Sequence, residues 1–208
     1  MSKTKSSERL FSPPKTVSVV CPVYNESAGI AKLNQLLVTE LNKIDNYRFD
    51  LIYIDDGSKD NSSAELLKIK QANGSRTPTK IVLLTRNFGK EAALTAGISQ
   101  AKSEAIFTID SDGQHPPKLI KSFLDRLDGA DVVAGVRKEY KKASFVKRFT
   151  SRIYYRLEEK IGGGFIAPNS TDFRVFRANV AEAFLTLQER GRVVRGLIDW
   201  LGYKTNYI

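Results

Sequence analysis

The sequence predicts an α/β fold with a mostly parallel central sheet flanked by helices. Two observations carry that prediction. Short apolar, β-branched runs alternate with segments of helical periodicity through the first half of the chain. Each of the first four runs ends in polar or acidic residues, and in parallel sheets ligands gather at the carboxyl ends of the strands.

The elements follow in order. Thr16 to Pro22 (TVSVVCP) is a short β-branched run, read as a buried strand. Tyr24-Asn25-Glu26-Ser27 leads into a helix from about Ala28 to Leu41, whose Ile30, Leu33, Leu37 and Leu41 share one face. Phe49 to Ile54 is a second strand, ending in Asp55-Asp56-Gly57-Ser58. A helix from Ser62 to Ala72 follows, with Ser62-Ser63-Ala64-Glu65 as its cap region. Asn73 to Thr79 is a loop, Lys80 to Thr85 a third strand, Lys90 to Gln100 a small-residue helix, and Ala105 to Ile109 a fourth strand. Beyond it, Asp131 to Val136 and Ser170 to Arg177 read as strands and Ala178 to Leu187 as a helix. Lys138 to Lys160 is basic, with Phe145, Phe149, Ile153, Leu157 and Ile161 at four-residue spacing; Gly162-Gly163-Gly164 ends that helix.

Composition narrows the chemistry. The 208 residues suit one domain, read as 16–208 behind a polar, Ser-rich, flexible tail at 1–15. The single cysteine, Cys21, excludes an intramolecular disulfide and a cysteine metal cluster. The single histidine, His115, leaves little room for a His-rich zinc site. An oxygen-ligand metal site remains open. The net charge of +10 favours anionic partners. No stretch approaches the ~20 apolar residues of a membrane span, and the tail lacks the apolar segment of a secretory signal. A reducing cytoplasm is the expected compartment.

The strand ends supply the chemistry. Asp110-Ser111-Asp112 offers two carboxylates one residue apart, able to share one Mg²⁺ or Mn²⁺ that completes its shell with substrate phosphate. Asp-Ser-Asp-Gly is also good turn chemistry, so the motif argues only in company. Asp55 and Asp56 offer acceptors for a base N–H or a ribose hydroxyl. Pro22-Val23-Tyr24-Asn25-Glu26 offers an aromatic face and a carboxylate. Arg86-Asn87-Phe88-Gly89-Lys90 offers cations and a glycine beside a helix N-terminus, a phosphate-binding pattern.

Taken together and in order, VVCPVYNES, IDDGSKDNS, RNFGKEAAL and IDSDGQHPP resemble the catalytic domain of glycosyltransferase family 2, of the GT-A fold. GVRKEY, SRIYYRLEEKI and NSTDFRVFRANV resemble its polyprenyl-phosphate branch, which includes dolichyl-phosphate mannose synthases and bactoprenol glucosyltransferases. The resemblance spans about Thr16 to Tyr203. It implies a Rossmann-like nucleotide-diphospho-sugar transferase whose Pro22, Tyr24, Glu26, Asp55, Asp56, Asn87, Lys90, Asp110 and Ser111 hold the nucleotide sugar. UDP-glucose is the expected donor, with GDP-mannose as the alternative. It further implies Asp110 and Asp112 as metal ligands, with Gln114 beside them. His115 is expected to have no catalytic duty.

The same resemblance implies inverting transfer to a polyprenyl phosphate. The second pKa of a phosphate monoester is about 6, so this acceptor needs orientation by cations more than deprotonation. Arg137 is the first candidate, then Arg174, with Arg192 or Arg195 closing over the site. Asp172 is expected either to orient an arginine or to act as base. Arg137 to Arg156 carries eight cations against one acid, Glu139, which suits a helix packed on the sheet with its basic side toward anionic lipid. The expected location is therefore peripheral, at the cytoplasmic face of the membrane, with self-association and no nucleic-acid partner. Branch members continue into amphipathic and often transmembrane helices, whereas this sequence stops at Ile208. The other readings are transfer to a saccharide acceptor, with Asp172 an obligatory base, and an inactive binding module.

Overall fold

A computed structural model describes residues 15–75, 77–137, 169–189 and 193–208. The predicted helix at Lys138 to Lys160, its glycine stop and Arg192 lie outside these. The described elements are β1 (Thr16–Val23), α1 (Ile30–Leu41), β2 (Arg48–Asp55), α2 (Ser62–Asn73), β3 (Thr79–Leu83), α3 (Lys90–Gln100) and β4 (Ala105–Thr108). A 3-10 turn (Pro117–Leu119) then leads into α4 (Ile120–Arg126), followed by β5 (Val132–Val136), β6 (Ser170–Arg177), α5 (Ala178–Thr186), α6 (Val194–Trp200) and β7 (Thr205–Tyr207).

All seven strands join one sheet in the order β3-β2-β1-β4-β6-β5-β7. β2, β1, β4 and β3 are mutually parallel, as the alternation of runs predicts, and β7 pairs parallel with β5. β6 is the exception: it runs antiparallel to both β4 and β5. Where β5 gives way to β6, the Arg137 N–H donates to the Asn169 carbonyl at 3.1 Å.

Side-chain alternation divides the core between the two faces of the sheet. Val17, Val19 and Cys21 of β1, with Tyr53, Phe107 and Phe173, face α1, α2 and α4 through Ile30, Leu37, Leu66 and Phe123. Val20, Ile52, Ile54, Ile106 and Phe176 face α3, α5 and α6 through Leu94, Ile98, Phe184 and Ile198. The small-residue composition of α3 has a steric reason at Gly97. A Cβ there would lie 2.4 Å from both Ile54 Cδ1 and Val20 Cγ1, so the helix seats on the sheet only with glycine at that point.

The strand order places the topological switch between β1 and β4. The chain leaves β1 toward β2 on one side, while β4 has β6 on the other. The crevice above this point is where open α/β sheets take ligands.

Candidate active site

The loop after β1 is bracketed to the loop after β2. Asn25 adopts φ of 55° and donates its N–H to Ser58 Oγ at 2.9 Å, while its Oδ1 accepts from Lys59 N at 2.8 Å. Glu26 N donates to Ser62 Oγ at 2.8 Å and Ser27 N to Asp60 Oδ2 at 3.1 Å. Hydrogen bonds from Ser62 and then Ser27 hold the exposed Asp60 carboxyl well below the ordinary carboxylate range.

The paired aspartates after β2 divide their duties. Asp55 is buried, accepts from Ser58 N at 3.0 Å and from Ser63 Oγ, and does not line the cavity described below. It was predicted among the nucleotide-sugar ligands; the structure places its oxygens on the turn into α2, outside that cavity. Asp56 accepts from Phe88 N at 2.7 Å and Gly89 N at 2.9 Å, tying the β2 turn to the loop before α3. Gly57, at φ of 65°, lets the two loops touch; a Cβ there would sit 2.3 Å from the Arg86 carbonyl carbon. Two of the amides before α3 are thus claimed by a carboxylate. What that loop presents for phosphate is the Lys90 ammonium.

Lys90 Nζ lies 2.7 Å from Asp110 Oδ1 and 2.7 Å from Asp172 Oδ2. His115 Nε2 approaches Asp110 Oδ2 to 3.6 Å, and its ring stacks on Phe173 with centroids 4.9 Å apart at 5°. Sequence reasoning gave His115 no role, yet the structure seats it against the first aspartate. Burial works to raise the Asp110 carboxyl, and the contacts from His115 and Lys90 outweigh it, so Asp110 is held below the ordinary range. Burial likewise opposes the Lys90 charge, and Asp172 and Asp110 together push its ammonium above the ordinary value. Asp112 is exposed and accepts from Gln114 N at 3.0 Å.

These loops enclose a cavity of about 280 Å³ lined by Pro22, Val23, Tyr24, Glu26, Asp56, Asn87, Gly89, Lys90, Asp110, Ser111 and Asp112. Nearly every predicted donor-side residue is there. The lining holds four carboxylates against one lysine, and neighbouring groups register that field. Burial, then the charges of Asp112 and Asp60, raises the Glu26 carboxyl. Burial, then the charges of Asp110, Glu26 and Asp112, raises the Cys21 thiol beneath it. An acidic cavity with hard oxygen donors fits a divalent cation of the Mg²⁺ or Mn²⁺ type. Among the described residues no three His, Cys, Asp or Glu side chains form a metal cage. A pair of carboxylates completed by phosphate oxygens and water is the arrangement such ions use.

On the far side of His115, a second cavity of about 420 Å³ is lined by Gln114, His115, Leu119, Phe123, Val136, Arg137, Phe173 and Ile208, among others. Arg137 NH2 donates to Gln114 Oε1 at 3.2 Å at this cavity. The structure thus brings these two predicted residues together.

Arg174 departs from expectation. Arg174 was expected at the acceptor phosphate, but it is fully buried: it meets Asp199 Oδ1 of α6 at 3.2 Å and the Thr171 and Arg195 carbonyls. Asp172, Arg174 and Phe176 share a sheet face, and Arg174 lies two residues further from the strand end, beneath α6. Arg195 is half-buried on α6. Glu91 accepts from Val194 N at 2.7 Å and so fixes the start of α6, a contact no sequence motif signalled.

Residues 18–185 match the sequence profile described as Glycosyl transferase family 2. A glycosyltransferase of Synechocystis sp. is 36% identical over 193 residues, covering 92% of this chain and 59% of that protein. A prophage bactoprenol glucosyl transferase homolog of Escherichia coli is 33% identical over 92% of this chain and 62% of its own length. The chain thus spans about three fifths of these relatives. Among solved structures, a mannosyltransferase from Pyrobaculum calidifontis in complex with GDP-Man and Mn²⁺ aligns at TM-score 0.65, covering 95% of this chain and 55% of that one at 17% identity. Glucosyl-3-phosphoglycerate synthase from Mycobacterium tuberculosis, in complex with Mn²⁺, UDP-Glc and phosphoglyceric acid, aligns at 0.55 over 80% of this chain and 57% of that one, at 19% identity. At these identities the likeness speaks for the fold: the architecture is that of the GT-A glycosyltransferases.

Proposed function

Because the chain belongs to glycosyltransferase family 2, we propose that it is an inverting, divalent-cation-dependent enzyme that moves glucose from UDP-glucose to a polyprenyl phosphate. The observation that carries this reading is the acidic cavity: four strand-end loops converge there, with carboxylates outnumbering the single lysine. A nucleoside diphosphate would be repelled by that lining alone and attracted once a cation sits between them.

Tyr24, 41% exposed at the cavity, offers its ring to the nucleobase, and Asp56, fixed by two backbone amides, offers an acceptor to a base N–H. Lys90 faces the diphosphate. Asp110 and Asp112 would hold Mg²⁺ or Mn²⁺, with Gln114 alongside; when bound, such an ion would supply positive charge against the leaving diphosphate. In the transfer, an acceptor phosphate oxygen forms a bond to the anomeric carbon as the bond from that carbon to the β-phosphate oxygen breaks. The electron pair leaves with UDP and the anomeric configuration inverts. A dianionic phosphate attacks without surrendering a proton, so no general base is required. Arg137, beside the more apolar second cavity, orients the acceptor phosphate, with Arg195 as a second cation.

The names of the bactoprenol glucosyl transferase relatives support the acceptor and the sugar. Among the described residues no helix is long and apolar enough to cross a membrane. In this reading the basic stretch after Arg137 meets anionic lipid at the cytoplasmic face. Calorimetry with UDP-glucose and GDP-mannose, each with Mn²⁺ and with EDTA, tests the donor half; an undecaprenyl-phosphate transfer assay tests the acceptor half. The expected result is Mn²⁺-dependent UDP-glucose binding and a lipid-linked glucose. Absence of nucleotide-sugar binding in every condition overturns the proposal.

A further inference from the structure

We infer that Asp172 acts on the donor side, as a positioning residue that shares Lys90 with Asp110, rather than as a base toward the acceptor. The inference rests on the donor-site reading above and assigns this residue a different task from the one its place in the sequence suggests.

The argument begins with strand direction. β6 runs antiparallel to β4, pairing Ala105 with Arg177 and Thr108 with Arg174. Continuing that register by two residues sets Asp172 opposite Asp110. Like charges directly across an antiparallel pair are unfavourable. Lys90, projecting from the start of α3, resolves the clash by sitting 2.7 Å from one oxygen of each. Asp172 is buried and lines neither the donor cavity nor the one beside Arg137. Its Oδ2 is on Lys90, its Oδ1 is buried without a hydrogen-bond partner among the described residues, and the residue does not line the donor cavity. A general base must reach the proton it takes.

The shared lysine has a consequence for the cation. Lys90 occupies part of the coordination space that Asp110 offers a divalent ion. Asp172 gives the ammonium a second anchor, so it can stay in place when a cation claims Asp110. Without Asp172 the ammonium has only Asp110 to neutralise and competes with the ion. Lys90 is the intermediary throughout, so removing it should erase most of the effect of removing Asp172.

Two measurements on the full chain test this. The first needs no ligand: unfolding midpoints of wild type, Asp172→Asn, Lys90→Met and the double variant. The expected outcome is non-additivity, with the double variant no less stable than the worse single one; additive losses overturn the inference. The second is UDP binding titrated against Mn²⁺. Asp172→Asn should raise the Mn²⁺ concentration for half-maximal binding about tenfold in the wild-type background and less than threefold in the Lys90→Met background. An unchanged Mn²⁺ requirement, with transfer to polyprenyl phosphate abolished, would identify Asp172 as a base and refute the inference. Failure of the wild type to bind UDP counts against the donor-site reading instead, and the ligand-free stability cycle still judges the Lys90 link.

Discussion

Replacing Gly57 by alanine tests the link between the fold and the donor cavity. At φ of 65° an alanine carries about 1–2 kcal/mol of left-handed strain. Its Cβ would also lie 2.3 Å from the Arg86 carbonyl carbon, against an ordinary carbon–carbon contact of about 3.5–4.0 Å, so the two loops must part by more than about 1 Å. The bonds at risk are those from Phe88 N and Gly89 N to Asp56, each worth about 1.5–3 kcal/mol as hydrogen bonds to a charged group. Losing one of them brings the total to about 2.5–5 kcal/mol. Gly202 is the control: its φ is 72° and nothing lies within 4 Å of its Cβ position, so Gly202→Ala should cost only about 1–2 kcal/mol. Urea denaturation of both variants measures the gap, and UDP calorimetry with Mn²⁺ reads its effect on the cavity, since Asn87, Gly89 and Lys90 travel with the displaced loop. UDP affinity should fall at least tenfold in Gly57→Ala and stay level in Gly202→Ala. Equal stability losses in the two variants, or a destabilised Gly57→Ala with wild-type UDP affinity, would refute the reasoning.

Three further outcomes follow. Arg174→Met leaves the Asp199 carboxylate buried without its guanidinium and should destabilise by about 3–5 kcal/mol; in urea denaturation, a loss under 1 kcal/mol would restore Arg174 as a ligand-facing cation. Glu91 is raised above its ordinary 4.5, chiefly by burial, so its share of stability is intact below that value and is lost as pH rises through the raised pKa. Glu91→Gln keeps an acceptor for the Val194 amide, so its urea midpoint should gain on that of wild type between pH 4.5 and 7; a constant difference across that window contradicts this. Arg137→Ala should raise the KM for polyprenyl phosphate by tenfold or more and leave UDP affinity unchanged, because Arg137 lies outside the donor cavity; a matching loss of UDP affinity would count against an acceptor-side role.

The acidic cavity was legible because its residues follow runs whose periodicity betrays a strand. TVSVVCP, FDLIYI and AIFTI fixed three parallel neighbours, and the polar groups at their ends fell into one cavity. α4 was missed although Ile120, Phe123, Leu124 and Leu127 carry helical spacing; Pro116-Pro117 and a length of seven residues hid it. α6 is equally short and has Gly196 within it. Strand direction left no trace in STDFRVFR, and direction decides everything there: it sets Asp172 against Asp110 and carries Arg174 beneath α6. Asp55 and Asp56 are adjacent and alike in sequence. Only the positions of Ser58 and Ser63 on one side, and of Phe88 and Gly89 on the other, separate a residue that holds a turn from one in the cavity wall.

The hydrogen bond from Arg137 to Asn169 closes β5 onto β6 where the chain leaves the sheet and re-enters it. The chain departs and returns through adjacent, paired residues, so the ends of the intervening stretch are already joined by the ladder. The antiparallel return through β6, which carries Asp172 to Lys90 and Arg174 to Asp199, is thus clamped at its point of entry by the sheet's own backbone.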